Sequence, residues 1–185
     1  MAAAKAYVWS VPVRLAHWTF AGIFVCNYFI LDPGSDSHQV LGYVALSLVA
    51  LRLFYGLFSK GYAGFNRVDI SSRAIGKHVH HLRQRRLPLE EGHNPMGWLM
   101  VFVMLGLFIS LAVTGYLLEE THRFFGSELV ERIHSLLADA LFICVCLHIA
   151  AVILIGHIGN VSLVKSMITG YRNHTSSPDN PPHQD

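Results

Sequence analysis

Charge is scarce in this chain. Only 14% of its 185 residues are Asp, Glu, Lys or Arg, whereas 52% are hydrophobic and the mean hydropathy is +0.41. That balance is too apolar for an ordinary soluble domain of this size. The net charge is a small +2 with histidines neutral, which leaves no electrostatic case for nucleic acid as a partner. Cysteine is scarce too. Cys26, Cys144 and Cys146 lie in apolar stretches and act as small hydrophobes, and three cysteines cannot form a closed disulfide set. A convincing signal peptide is missing: Pro12, Arg14 and His17 interrupt the approach to the first apolar stretch, and Leu31-Asp32-Pro33 is a poor cleavage site. That stretch is expected to stay in the mature protein. No internal repeat is visible.

Long apolar runs are what the chain does have. Crossing about 30 Å of hydrocarbon takes roughly 20 helical residues, and four stretches suit: 14–31, 38–58, 95–118 and 132–158. Trp9, Trp18 and Tyr28 supply interfacial anchors for the first. Asp32-Pro33-Gly34 makes a tight stop before the second, and Pro95 suits the first turn of the third. Loop 59–94 carries Lys60, Arg67, Arg73, Lys77, Arg83, Arg85 and Arg86 against Asp69, Glu90 and Glu91. Loop 119–131 carries Glu119, Glu120, Glu128 and Glu131 against Arg123. The positive-inside rule then puts loop 59–94 and both termini in the cytoplasm. Residues 160–170 suggest a short interfacial helix, and 171–185 a disordered tail.

Histidine is abundant for so apolar a chain, at 12 residues, and an imidazole in hydrocarbon must find a partner. Four sit in the spans. His17 lies one turn into the first, on the cytoplasmic side, and His38 opens the second on the outer side. His134 and His148 share the fourth, fourteen residues apart. At about 100° per residue this is only about 40° short of four whole turns, so both project from one face, about 21 Å apart along the axis. Depth then matches His38 with His134 and His17 with His148, two pairs at two levels, as two stacked haems require. A lone histidine at a helix end is ordinarily an interfacial polar residue; the matched depths argue otherwise for the set. Small residues for a passing macrocycle lie within about a turn of each ligand: Ala21 and Gly22, Gly42, Ala138, Ala151. There is no C-x-x-C-H, so a bound haem is non-covalent and b-type. Cys144, Cys146 and His148 point about 200° apart in succession and cannot converge on one ion. Arg52, toward the inner end of the second span, either snorkels or pairs with an anion such as a haem propionate, a role Arg14 would share. His78, His80 and His81 suit a solvated or lipid-headgroup face. His93 and His157 flank spans, and His122, His174 and His183 fall in loop or tail.

Val13-Arg14-Leu15-Ala16-His17-Trp18 opens the first span, and His38-x-x-x-Gly42 with Arg52 marks the second. Gly92-His93-Asn94-Pro95-x-Gly97 precedes the third, and His134 with His148 marks the fourth. In this ordered combination the chain resembles the bacterial cytochrome b-561 family, which includes the b-type cytochrome subunits of nickel–iron hydrogenases, over nearly all residues up to Gly170. The resemblance implies that His17, His38, His134 and His148 are the axial ligands of two haems, the first and second helices each pairing with the fourth. It also implies an inner-membrane protein exchanging electrons with quinone on one side and, on the other, with an extracytoplasmic redox subunit, cytochrome c or a small oxidant. Hydrogenase cytochrome subunits are usually longer, often with a further span.

The expectation is therefore an all-α integral membrane four-helix bundle over residues 1–170, with two haems stacked across the bilayer and a short interfacial C-terminal helix. Bis-histidine irons have no open coordination position, so they suit outer-sphere electron transfer between the quinone pool and an extracytoplasmic partner. Superoxide oxidation coupled to quinone reduction is a second expectation, and a haem-free metal transporter a third.

Overall fold

A computed structural model describes residues 5–59, 64–84 and 94–173. The fold is mostly helical. Helix α1 (Val11–Val25) runs without a break into a π-turn (Cys26–Ile30), and α2 (Asp36–Phe58), α3 (Ser72–Arg83), α4 (Pro95–Glu120), α5 (Glu128–Ile158) and α6 (Leu163–Thr169) follow. Three of them, α2, α4 and α5, are long and apolar enough to cross a membrane. The continuous run Val11–Ile30 is roughly 30 Å long at 1.5 Å per residue. Their surfaces agree with a lipid setting: Leu57 and Phe58 are each 70% exposed, and Phe29, Ile30, Leu51, Phe54 and Ile153 also face outward. A soluble protein does not show apolar surface on that scale.

Helix boundaries follow local chemistry more than hydropathy. The second helix starts before His38, because Ser35 caps it: its hydroxyl accepts from His38 N–H. Asn94 caps α4 by accepting from Gly97 N–H, with Pro95 at the first helical position as expected. The fourth span was expected from Arg132, yet α5 begins at Glu128; Glu128 and Glu131 favour the positive end of the helix dipole and extend it beyond its apolar part.

The helices neighbour one another in the order α1, α2, α4, α5, so α5 stands off from α1 and α2 and meets them mainly through side chains. At one end the first and last described segments meet. β1 (Lys5–Tyr7) pairs antiparallel with β2 (Tyr171–Asn173), so the disordered tail expected from 171 gives up its first three residues to a strand. The remainder, 174–185, lies outside the described residues. Val8, Trp9 and Val13 form a small buried core here, with Ala6, Tyr55 and Met167 packed against it. Gly170 closes α6 in the left-handed conformation (φ 87°), and its carbonyl accepts from Val8 and Trp9 N–H. A Cβ there would come within 2.7 Å of the Tyr7 ring and 2.9 Å of Trp9 O, so both the turn and the close approach require glycine.

Candidate haem-binding site

The four span histidines come together in the two pairs that depth suggested. His17 on α1 faces His148 on α5 with ring centroids 6.3 Å apart, and His38 on α2 faces His134 on α5 at 6.2 Å. All four are half-buried. The Nδ1 atoms of His17 and His38 are buried without a hydrogen-bond partner. Each gap is of the size that one ion fills with two metal–nitrogen bonds of about 2 Å and a ring radius on either side. Among the described residues no group of three or more His, Cys, Asp or Glu is placed to hold a metal; the donors come in pairs, which is the donor set of a six-coordinate haem iron.

His134 meets a threonine of the neighbouring helix. Its Nδ1 lies 2.8 Å from Thr114 Oγ1, and that hydroxyl also lies 2.9 Å from Ser110 O and 3.1 Å from Leu111 O on its own helix. A hydroxyl has one proton; given to a backbone carbonyl, it leaves the threonine oxygen to accept from His134 Nδ1–H. Nε2 is then the lone pair left for a metal, the arrangement in which a ligand's second nitrogen orients its first.

A cavity of about 590 Å³ opens beside this pair, lined by His38, His134, Gly42, Ala138, Phe108 and Leu111 among others. Nothing lies within 4 Å of where a Gly42 Cβ would stand. That open flank one turn from His38 suits a flat macrocycle, and so the residues present fit a haem. Glu119 and Glu131 lie on the same cavity's polar rim.

Other expected residues stand elsewhere. Arg52 is half-buried with its guanidinium 5.1 Å from the Phe65 ring centre. Gly56 makes room for both, since a Cβ there would come within 2.5 Å of Phe65 and 2.8 Å of Arg52 Nη1. Arg14 donates from Nη1 to Ile168 O, and Trp18 Nε1 donates to Met167 O at 3.2 Å, so two residues of the α1 motif hold the end of α6. His93 lies outside the described residues. His157 is exposed in the last turn of α5, and His80 is exposed and bonded to Gln84. His78 differs from its expected solvated setting: it is buried, with Nε2 3.0 Å from Asn94 Nδ2.

Thr114 went unnoticed in the sequence, where nothing distinguishes it from any other threonine in an apolar helix. So did Asn27, whose Nδ2 donates to His38 O and ties the π-turn to α2. Asp139 was missed too, although an acidic residue inside an apolar run is a visible signal. Tyr28 OH donates to it at 2.9 Å while the Tyr28 ring stacks on Phe142, fastening the π-turn to α5.

The chain matches the family model of prokaryotic cytochrome b561 over residues 8–170. It belongs to that family. Family membership makes it a membrane-bound b-type cytochrome of electron transfer. The cytochrome is also 26% identical, across 90% of its own length and 85% of the relative's, to a probable Ni/Fe-hydrogenase B-type cytochrome subunit of Bradyrhizobium diazoefficiens. No solved structure gives a significant match.

Proposed function

We propose that this cytochrome is a four-helix transmembrane electron carrier with two b haems. One is held by His38 and His134 and the other by His17 and His148, and electrons pass between membrane quinone and an extracytoplasmic redox partner. The observation that carries the proposal is the pair of opposed imidazoles at 6.2 and 6.3 Å, both anchored on α5. The run Val11–Ile30 is the fourth crossing. Haem supplies reversible one-electron chemistry. The protein's part would be to offer each iron two imidazoles, His38 with His134 and His17 with His148, and to keep the two levels about 21 Å apart along α5. Arg52 and Arg14 stand toward the end where β1 and β2 pair and would be the cations to meet the propionates, Arg14 while also holding α6. Orientation in the inner membrane with both termini cytoplasmic rests on the basic loop 59–94, and the β1–β2 pairing favours an even number of crossings.

The name of the Bradyrhizobium relative supports a protein partner. Glu119 and Glu131 on the cavity rim repel an anion, which disfavours superoxide as the substrate. Membership of a b-type cytochrome family sets the metal-transporter expectation aside. Pyridine haemochrome analysis of the purified protein tests the haem count: the expected ratio is two haems per chain, and one or none overturns the four-ligand arrangement.

A further inference from the structure

Helix α3 belongs to neither haem level. It contains Arg73, Lys77 and Arg83 with no acidic residue. Its start is set locally: Ser71 N–H donates to Asp69 Oδ1, and Ser71 Oγ accepts from Ala74 N–H. Hydrogen bonding by Ser71 holds the Asp69 carboxyl below its usual range, so it stays ionised at neutral pH.

Three stripes run along this helix. Ala74, His78 and His81 are buried or half-buried, and these turn toward the protein. Ile75 and Val79 are 38% and 44% exposed, on a stripe about 110° around the helix from the first. Arg73, Lys77 and His80 are exposed, about 150° from the apolar stripe. A helix held sideways by its protein, with one uncovered apolar stripe and cations nearly opposite, has the arrangement of one lying in a membrane interface. Its depth agrees. His78 is bonded to Asn94, the residue that caps the first turn of α4, so the middle of α3 sits level with the end of a membrane-crossing helix. Ile70, just before it, is also exposed.

We propose that α3 is an anionic-lipid docking helix: Ile75 and Val79 enter the acyl boundary, and Arg73 and Lys77 on the opposite stripe, with Arg83 at the end of the helix, bind phospholipid headgroups of negative charge. The occupant follows from charge complementarity and from the position of α3 between α2 and α4. The proposal rests on the membrane reading of those two helices and is independent of the haem count.

The test uses the full chain in nanodiscs, with the three native cysteines replaced by alanine and a spin label at Val79→Cys or, separately, His80→Cys. Discs of phosphatidylcholine are compared with discs in which half is phosphatidylglycerol. With phosphatidylglycerol, the Val79 label should collide with oxygen more than with a water-soluble nickel chelate, and the His80 label should do the reverse. Each Lys or Arg near an anionic surface contributes about 1 kcal/mol, about fivefold, so Arg73→Gln/Lys77→Gln/Arg83→Gln should weaken docking roughly 100-fold while the haem spectrum stays unchanged. Arg73→Lys/Arg83→Lys should retain docking. A Val79 label open to the chelate in both discs overturns the proposal and favours an acidic protein partner. Equal protection in both discs and in the glutamine variant overturns the recognition of lipid charge.

Discussion

The two ends of this molecule are built on opposite plans. At the end where the first and last described segments meet, β1, β2, α6 and the start of α1 make a small closed core around Val8, Trp9 and Val13. Carbonyls at the C-terminal end of α6 are taken by Trp18 and Arg14. At the far end, loops 31–35 and 121–127 are short, and a cavity of about 590 Å³ runs in between them to His38 and His134. Carboxylates gather there, whereas the cations of α3 lie at the closed end. A closed, basic end and an open, acidic one divide the work of the molecule: the first fastens the bundle together, and the second leaves the His38–His134 pair accessible through the cavity.

The largest effect that breaks this comparison comes from the ligands themselves. Under the proposed pairing, His38→Ala and His134→Ala should each abolish the far-end haem while leaving a low-spin spectrum from the other. His17→Ala and His148→Ala should each do the converse. Redox titration followed by low-temperature absorption distinguishes the two components, and matching losses for His17 and His38 would show that the pairs are wrongly drawn.

A smaller effect sharpens the far end alone. Thr114→Val removes the acceptor of His134 Nδ1–H and leaves a buried donor unsatisfied. Partners of metal ligands typically contribute 10–100-fold in affinity, so haem retention should fall by about tenfold at this level and not at the other. Thr114→Ser should restore it, and equal loss at both levels would point to general unfolding instead.

The smallest belongs to the closed end. Trp18→Phe keeps the aromatic body and deletes one hydrogen bond to Met167 O, worth about 1 kcal/mol. Amide exchange in α6 should accelerate about fivefold with both haem spectra intact; no change in exchange would mean that Arg14 and the strand pair suffice to hold it.

Much of this was legible before any coordinates. α2, α4 and α5 follow from uninterrupted apolar runs, and the two histidine pairs follow from depth along helices whose lengths the bilayer sets. Contacts across helix seams were not legible. Which threonine meets His134 depends on how α4 is rotated against α5, and hydropathy says nothing about rotation when a helix is apolar on every side, as α4 is. The first span was expected over residues 14–31, and the π-turn inside it leaves no signature in Cys26–Ile30. β1 and β2 have three residues each, too few for an alternating pattern, and their pairing spans nearly the whole chain. α3 was hidden for another reason: its basic residues were counted toward the topology of loop 59–94 and not set against Ile75 and Val79 on a helical wheel.

The pairing of two strands so far apart in the sequence has a consequence for synthesis. Lys5–Tyr7 leaves the ribosome well before Tyr171–Asn173, with all the long helices translated in between. At about 5–20 residues per second, the first strand waits on the order of ten seconds or more for its partner. For all that time the helices between are entering the bilayer with Val8 and Trp9 uncovered. The closed end is therefore a seal applied only after α5 and α6 have been made, and a nascent chain stalled inside α5 would carry its earlier helices in the membrane without the strand pair that fastens them.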